Sequence, residues 1–282
     1  RQFESFGEDP LLVKTFGEAM IRGYQGDSNQ VNDKTKIAAC MKHFIGYHAT
    51  ISGKDRTPSY IPDHVLSEYH IPSFKAAIDA GAKTIMINSG IINGIPVHSS
   101  YKFLTDLLRN RLGFEGVILT DWEDINKLYD RDKIVSSKKE AIRLAINAGI
   151  DMSMVPYEYE EFIDNLMDLV NEGKVSMDRI DDAVSKILKL KFELDLFQNP
   201  STNPADYNDF ASEEFQNMAY QSAAEAITLL KNKDNILPLN RDKKILVVGP
   251  NADNMRCLNG AWTYSWQGEL TDQFAAKYQT IF

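Results

Sequence analysis

Four short apolar runs, separated by segments with helical periodicity, constrain this chain more than any other feature. They are IAACMKHF from Ile37, KTIMINSG from Lys83, GVILTDW from Gly116 and IDMSMV from Ile150. None alternates apolar with polar residues, as a strand with one wet face would, so each suits a parallel strand covered on both sides. Between them, SYKFLTDLLRNRLG from Ser100 and SSKKEAIRLAINAG from Ser136 carry helix-period apolar residues and end in Gly. Pro72, in HIPSFKAAIDAG, is placed to open a helix. The expected class is α/β, built from βα repeats.

Repeats of this kind close into a barrel with about eight strands. Four are readable before SMDRIDDAVSKILKLKFELDLF ends the first region at Phe197. Half a barrel would leave two parallel edges unpaired. The expectation is therefore the second half of a (β/α)8 TIM-like barrel over residues 1–197, in a chain that begins partway through the domain. QNPSTNPADYNDFAS, residues 198–212, reads as a linker. A second α/β domain is expected over 213–282, opening on the helix EEFQNMAYQSAAEAITLLKN, with KKILVVGPNADN from Lys243 as a buried strand running into a turn.

Charge and composition exclude several functions. With 31 basic against 40 acidic residues the net charge is −9, which repels nucleic acid and acidic lipid surfaces. No window approaches the roughly 18–20 apolar residues of a membrane span. The two cysteines, Cys40 and Cys257, show neither disulfide nor zinc spacing, and Cys40, in an apolar run, is expected to be a packed core thiol. His48, His64, His70 and His98 lack metal-ligand spacing, and VVGPNADN lacks the G-x-G-x-x-G that cradles a pyrophosphate. No metal or cofactor is expected.

In parallel β/α folds the loops at the strand ends gather the chemistry. Those ends carry Lys42-His43, Asn88-Ser89, Asp121-Trp122 and Met152-Ser153-Met154. Asp121 stands out, because a carboxylate at the tip of a hydrophobic strand must be compensated by a partner. Lys42, at a similar height on another strand, would favour its charged form. A second reading stands beside this one: Asp121 caps the following helix, with Glu123 and Asp124 complementing its dipole. Lys42 and His43 are adjacent, so they point to opposite faces unless the strand distorts at its end. Trp122 offers a flat apolar face suited to stacking on a sugar, or else packs in the core.

These residues resemble glycoside hydrolase family 3, the β-glucosidases and related exo-glucanases. The resemblance lies in RQFESFGEDPLLV from Arg1, KHFIGY from Lys42, MINSGIINGIPVHSS from Met86, GFEGVILTDWEDI from Gly113 and AGIDMSMVP from Ala148. It continues in AAEAITLLKNKDNILPL from Ala223 with VVGPNAD from Val247, all in the family's order. It implies a (β/α)8-like barrel followed by an α/β sandwich, with the active site between them. By motif, Asp121 corresponds to the catalytic nucleophile. Arg1, Lys42 and His43 match residues that bind the terminal sugar's hydroxyls, Trp122 matches an aromatic flanking the next sugar, and Glu4 helps fix the basic residues. The acid/base is implied to be a glutamate of the second domain, beyond residue 282.

The activity implied is that of a retaining, exo-acting β-glucosidase on small glucosides or oligosaccharides, in a secreted, periplasmic or lysosomal protein. Such enzymes place two carboxyl groups about 5–5.5 Å apart across the scissile bond. Glu123, two residues from Asp121, is not placed to be the second. A branch of the family acting on N-acetylhexosaminides carries an Asp-x-His dyad, but here Asp55 is followed by Arg56 and Thr57. A non-catalytic carbohydrate-binding module on the same fold, and a family 3 β-xylosidase or N-acetylhexosaminidase, remain as alternatives.

Overall fold

Three of the four apolar runs pair side by side, in chain order and parallel. They form β1 (Cys40–Phe44), β2 (Thr84–Ile87) and, beyond a short hairpin of β3 (Ile91–Ile92) and β4 (Ile95–Pro96), β5 (Val117–Leu119). This computed structural model describes residues 4–27, 30–273 and 279–281. They fall into two units, one ending at Asn203 and the other starting at Pro204. The fourth run contributes a single parallel bridge, Met152 beside Leu119, rather than the expected strand. Asp151 and Ser153 interrupt its apolar character, and aspartate disfavours the extended ladder.

Helices link and cover the strands of the first unit. Helix α1 (Pro10–Gln25) is capped by Asp9, whose Oδ1 accepts from Leu11 N at 2.8 Å, with Pro10 in its first turn. From β1 to β2 the chain runs through α2 (Asp63–Val65), a π-helical segment (Leu66–His70) and α3 (Ile71–Asp79), with Pro72 in the first turn of α3 as expected. The Ser100 region is also helical, but Lys102–Arg111 winds as a π-helix. After β5 come α4 (Asp124–Asp130) and α5 (Lys138–Ala148), the latter opened by a Ser137 cap and stopped by Gly149 at φ +121°. The unit is completed by α6 (Tyr159–Asn171) and α7 (Met177–Glu193). Phe44, Ile85, Ile87, Leu104, Leu108 and Ile118 are sealed in the core between sheet and helices. Cys40 is not a core thiol: β1 turns Met41 inward, which leaves Cys40 exposed.

A buried carboxylate ties this sheet to its helices. Asp151 Oδ2 accepts from Ile118 N at 2.9 Å and pairs with Arg109, while Oδ1 accepts from Arg179 Nη2 at 2.8 Å. Arg109 also donates to the carbonyls of Phe114 and Gly116 at 2.7 and 2.6 Å. Arg179 reaches those of Ile146 and Ile150 at 3.0 and 2.7 Å. The fork thus connects β5, the 150–152 run, the π-helix and α7.

In the second unit, α8 (Glu213–Ala226) starts at a Ser212 cap and α9 (Met255–Asn259) at an Asn254 cap. The strand expected from Lys243 is not formed. Leu246 is 85% exposed, and among the described residues no other segment forms a ladder with it. A run of this kind is a stable strand only when neighbours satisfy its backbone groups and cover its faces.

Removing one partner of a buried ion pair leaves uncompensated charge. Asp151→Ala is therefore expected to destabilise the protein by about 3–5 kcal/mol, read from urea unfolding. A loss below about 1 kcal/mol, the range of surface pairs, would contradict the fork's structural role.

Candidate active site

Asp121 lies two residues past the end of β5, at the edge of the sheet where its three strands all finish. Its neighbour Thr120 is fixed by two bonds to the 152–154 segment: Thr120 N donates to Met152 O at 3.1 Å, and Thr120 Oγ1 accepts from Met154 N at 2.8 Å. The Asp121 side chain is only slightly open to solvent, with the residue 8% exposed. Oδ1 accepts from Trp122 N at 2.6 Å and Oδ2 from Arg56 Nη2 at 3.1 Å. The capping alternative does not describe this carboxylate. The residue preceding α4 is Glu123, which makes no side-chain cap, and the bond from Asp124 N goes to the backbone carbonyl of Asp121 at 3.4 Å.

The cation against Asp121 is Arg56, where Lys42 was expected. Lys42 Nζ instead bonds Glu4 Oε1 at 2.9 Å. Arg56 arrives on the loop that follows β1. That loop is folded on itself through Tyr47 Oη to Asp55 Oδ1 at 2.5 Å, Ser52 to Thr57 hydroxyls at 2.6 Å, and Ile51 N to Pro58 O at 3.2 Å. It is anchored to β3 where Ser59 N donates to Ile91 O at 2.9 Å. Burial alone would lower the Arg56 pKa, but the negative charges of Asp121 and Asp124, with Tyr47 and Asp55, outweigh it and hold the pKa above its usual value. Arg56 and Glu123, on either side of the carboxylate, both adopt left-handed backbone (φ +58° and +57°). For non-glycine residues this costs about 1–2 kcal/mol, and such strain gathers at functional sites.

His43 is brought to the same place. An extra residue in β1 between Met41 and Phe44 breaks the register with β2, and a bulge of this kind relaxes the strict alternation of side chains. The His43 ring packs tilted against Tyr47, with centroids 4.2 Å apart, and Nε2 stands 3.8 Å from Asp121 Oδ2. Burial, reinforced by the Lys42 charge and opposed by Asp121 and Glu4, lowers the His43 pKa to about 4. The imidazole is therefore neutral at ordinary pH and can exchange hydrogen bonds with a hydroxyl.

Trp122 is 44% exposed, with its ring edge-on to Tyr157 at 6.0 Å, so it is a rim residue and not a core one. Behind the rim, Asp124 Oδ1 accepts from Ser89 Oγ at 2.7 Å and pairs with Lys127 at 3.0 Å. Burial would raise the Asp124 pKa, but His98, Lys127 and Ser89 together keep it below the usual carboxylate value. Burial dominates at His98 and lowers its pKa. Of the residues anticipated at the site, Asp121, Lys42, His43, Trp122 and Glu4 are described, and Arg1 lies outside the described residues. Arg56 was not anticipated. Its signal was a basic residue in the loop following the first strand, on the side where such loops converge.

As assembled, the site offers a carboxylate with two of its roughly four acceptor positions occupied, a neutral imidazole, a lysine–glutamate pair and an exposed indole. Such a set can bind hydroxyls and present a nucleophilic oxygen. Residues 1–190 match the Glycosyl hydrolase family 3 N terminal domain, and residues 227–280 match the Glycosyl hydrolase family 3 C-terminal domain. The chain is 47% identical over 280 residues to a protein of Dictyostelium discoideum named lysosomal beta glucosidase, covering 96% of this chain and 34% of that one. It is 34% identical to a beta-xylosidase of Formosa agariphila, covering 92% and 37%. The crystal structure of a beta-glucosidase from Listeria innocua in complex with gluconolactone superposes with a TM-score of 0.86 at 33% identity, over 95% of this chain and 37% of that one. The chain thus spans about a third of the length of these relatives.

The histidine makes a pH prediction. Folded His43 takes a proton only below about pH 4, whereas an unfolded histidine does so below 6.5. The unfolded state binds more protons between those values, so stability falls as pH drops from 6.5 to 4, by up to ~3 kcal/mol. Above 6.5 the group contributes nothing. In His43→Gln this part of the acid sensitivity should vanish from denaturant unfolding measured at pH 7 and pH 4. Equal losses in both proteins would contradict the assignment.

Proposed function

The chain belongs to glycosyl hydrolase family 3, and we propose that it carries the nucleophile of a retaining, exo-acting β-glucosidase, with Asp121 in that role. The observation that carries the reading is the Asp121 carboxylate, held at a strand tip by a guanidinium with an imidazole 3.8 Å away. Asp121 attacks C1 of the terminal glucosyl unit. A C–O bond forms to the carboxylate as the bond to the leaving oxygen breaks, and a second carboxyl group supplies the leaving oxygen's proton. Water then attacks C1 from the opposite face, giving a proton to that second group, now a carboxylate, as the C–O bond to Asp121 breaks, and the product keeps its configuration. Asp124 is not that acid, because it is sealed beneath Ser89 and Lys127. Glu123 begins the same turn as Asp121 and is not assigned the role either.

In this reading Arg56 neutralises the resting nucleophile and fixes its rotamer. Neutral His43 and the Lys42–Glu4 pair receive hydroxyls of the sugar, and Trp122 flanks the neighbouring unit. Arg1 is proposed as a further sugar ligand from its motif. The parallel order β1-β2-β5, with the Met152 bridge next in line, supports consecutive strands of a (β/α)8-type barrel over 1–197. The proposal keeps 198–212 as linker and 213–282 as part of an α/β sandwich domain. The substrate is a small glucoside or oligosaccharide, and the name of the Dictyostelium relative supports a lysosomal or otherwise extracytosolic setting. Among the described residues no helix is long and apolar enough to cross a membrane.

The xylosidase relative favours a second substrate, the pentoside. Comparison of kcat/KM for nitrophenyl β-glucoside and β-xyloside decides between the two. A preference for the xyloside would replace glucose in the proposal and leave the chemistry intact.

Asp121→Ala should lower kcat by about 10³-fold or more while leaving the unfolding midpoint close to wild type. Turnover near the wild-type rate would remove Asp121 from the mechanism. Proton NMR of fresh product should show the β-anomer first, and initial release of the α-anomer would exclude retention. Arg56→Gln should reduce kcat/KM by about 10-fold or more, whereas an unchanged value would reduce Arg56 to a bystander.

A further inference from the structure

Asp124 is three residues beyond Asp121 and almost fully buried, at 1% exposure. In sequence it is a carboxylate suited to complementing a helix dipole. Its contacts join separate parts of the fold. Oδ1 takes the Ser89 hydroxyl, from the end of β2, and the Lys127 ammonium, from α4. Oδ2 faces Nε2 of buried His98 at 3.6 Å, and neither of those two atoms has a hydrogen-bond partner. Arg131, just past α4, returns to Ser89: Nη2 donates to its carbonyl at 2.6 Å and Nη1 to its hydroxyl at 3.2 Å. Lys127 also donates to the Trp122 carbonyl at 2.5 Å. The turn from Asp121 to Asp124 is thereby fixed at its far end to a neighbouring strand.

A buried carboxylate is a costly way to secure a seven-residue helix, since apolar packing would do so without desolvating charge. What charge adds is direction: paired, short contacts fix one orientation of the turn that carries the reactive group. We propose that Asp124, held by Ser89 and Lys127, is the positioning residue that aims the Asp121 carboxylate at C1. The inference rests on Asp121 being the nucleophile.

The test is a double-mutant cycle with dinitrophenyl β-glucoside, whose leaving group departs as the phenolate and needs no acid. Asp124→Asn should lower kcat about 10- to 100-fold, as for a misplacement of about 1 Å, with KM changed less than about 3-fold. In Asp121→Gly, azide replaces the carboxylate: it bonds to C1 as the phenolate leaves, giving the α-glucosyl azide. Adding Asp124→Asn to Asp121→Gly should change that rescued rate less than about 2-fold, since no carboxylate is left to aim.

An equal fall in both backgrounds, or none in the first, would overturn the proposal while leaving the nucleophile assignment standing. Should Asp124→Asn fail to fold, Ser89→Ala takes its place, with a kcat loss of about 3- to 10-fold expected only when Asp121 is present. Absence of azide rescue in Asp121→Gly would instead overturn the nucleophile assignment, and the positioning role with it.

Discussion

The contact between the Asp121 carboxylate and the Arg56 guanidinium, at 3.1 Å, is the interaction on which the site depends. A carboxylate this enclosed needs a cation beside it and a donor that fixes its orientation. Arg56 meets both needs. Its planar fork gives direction as well as charge, and its own positive charge is secured by the surrounding acids. His43, by contrast, is kept neutral by burial beside Lys42. Cation, anion and neutral imidazole therefore coexist within a few ångströms.

Two further buried carboxylates hold this arrangement still. Asp151 joins the third strand to the helices through Arg109 and Arg179. Asp124 joins the turn after that strand to β2 through Ser89. One fixes where β5 stands, and the other fixes the turn just beyond its end. The element between them, Val117 to Asp121, is tied down at both ends, which is what the proposed role of Asp121 requires.

Much of this was readable from residue patterns. The continuous apolar runs marked the parallel strands, because burial on both faces removes polar alternation. Asp121 was legible for the opposite reason, as a charge where the pattern allowed none. Arg56 was not, since loop conformation decides where a long side chain reaches, and nothing local to KDR declares that it folds back over a strand end. The bulge that brings His43 to the site was equally hidden, because register is a property of two strands together. Asp151 lay within a run expected to be a plain strand, its significance carried by arginines roughly thirty to forty residues away. The segment from Lys243 shows the limit of reading runs singly: apolar residues make a strand only where partners exist.

The central claim is that one Asp121 oxygen bonds to the anomeric carbon during turnover. A fluorinated glucosyl fluoride slows release of that intermediate more than its formation. Incubation of the protein with this reagent, followed by peptide mass analysis, should find one deoxyfluoroglucosyl group on the peptide containing Asp121. The same label on another carboxylate, or hydrolysis of the reagent with no trapped adduct, would contradict the account.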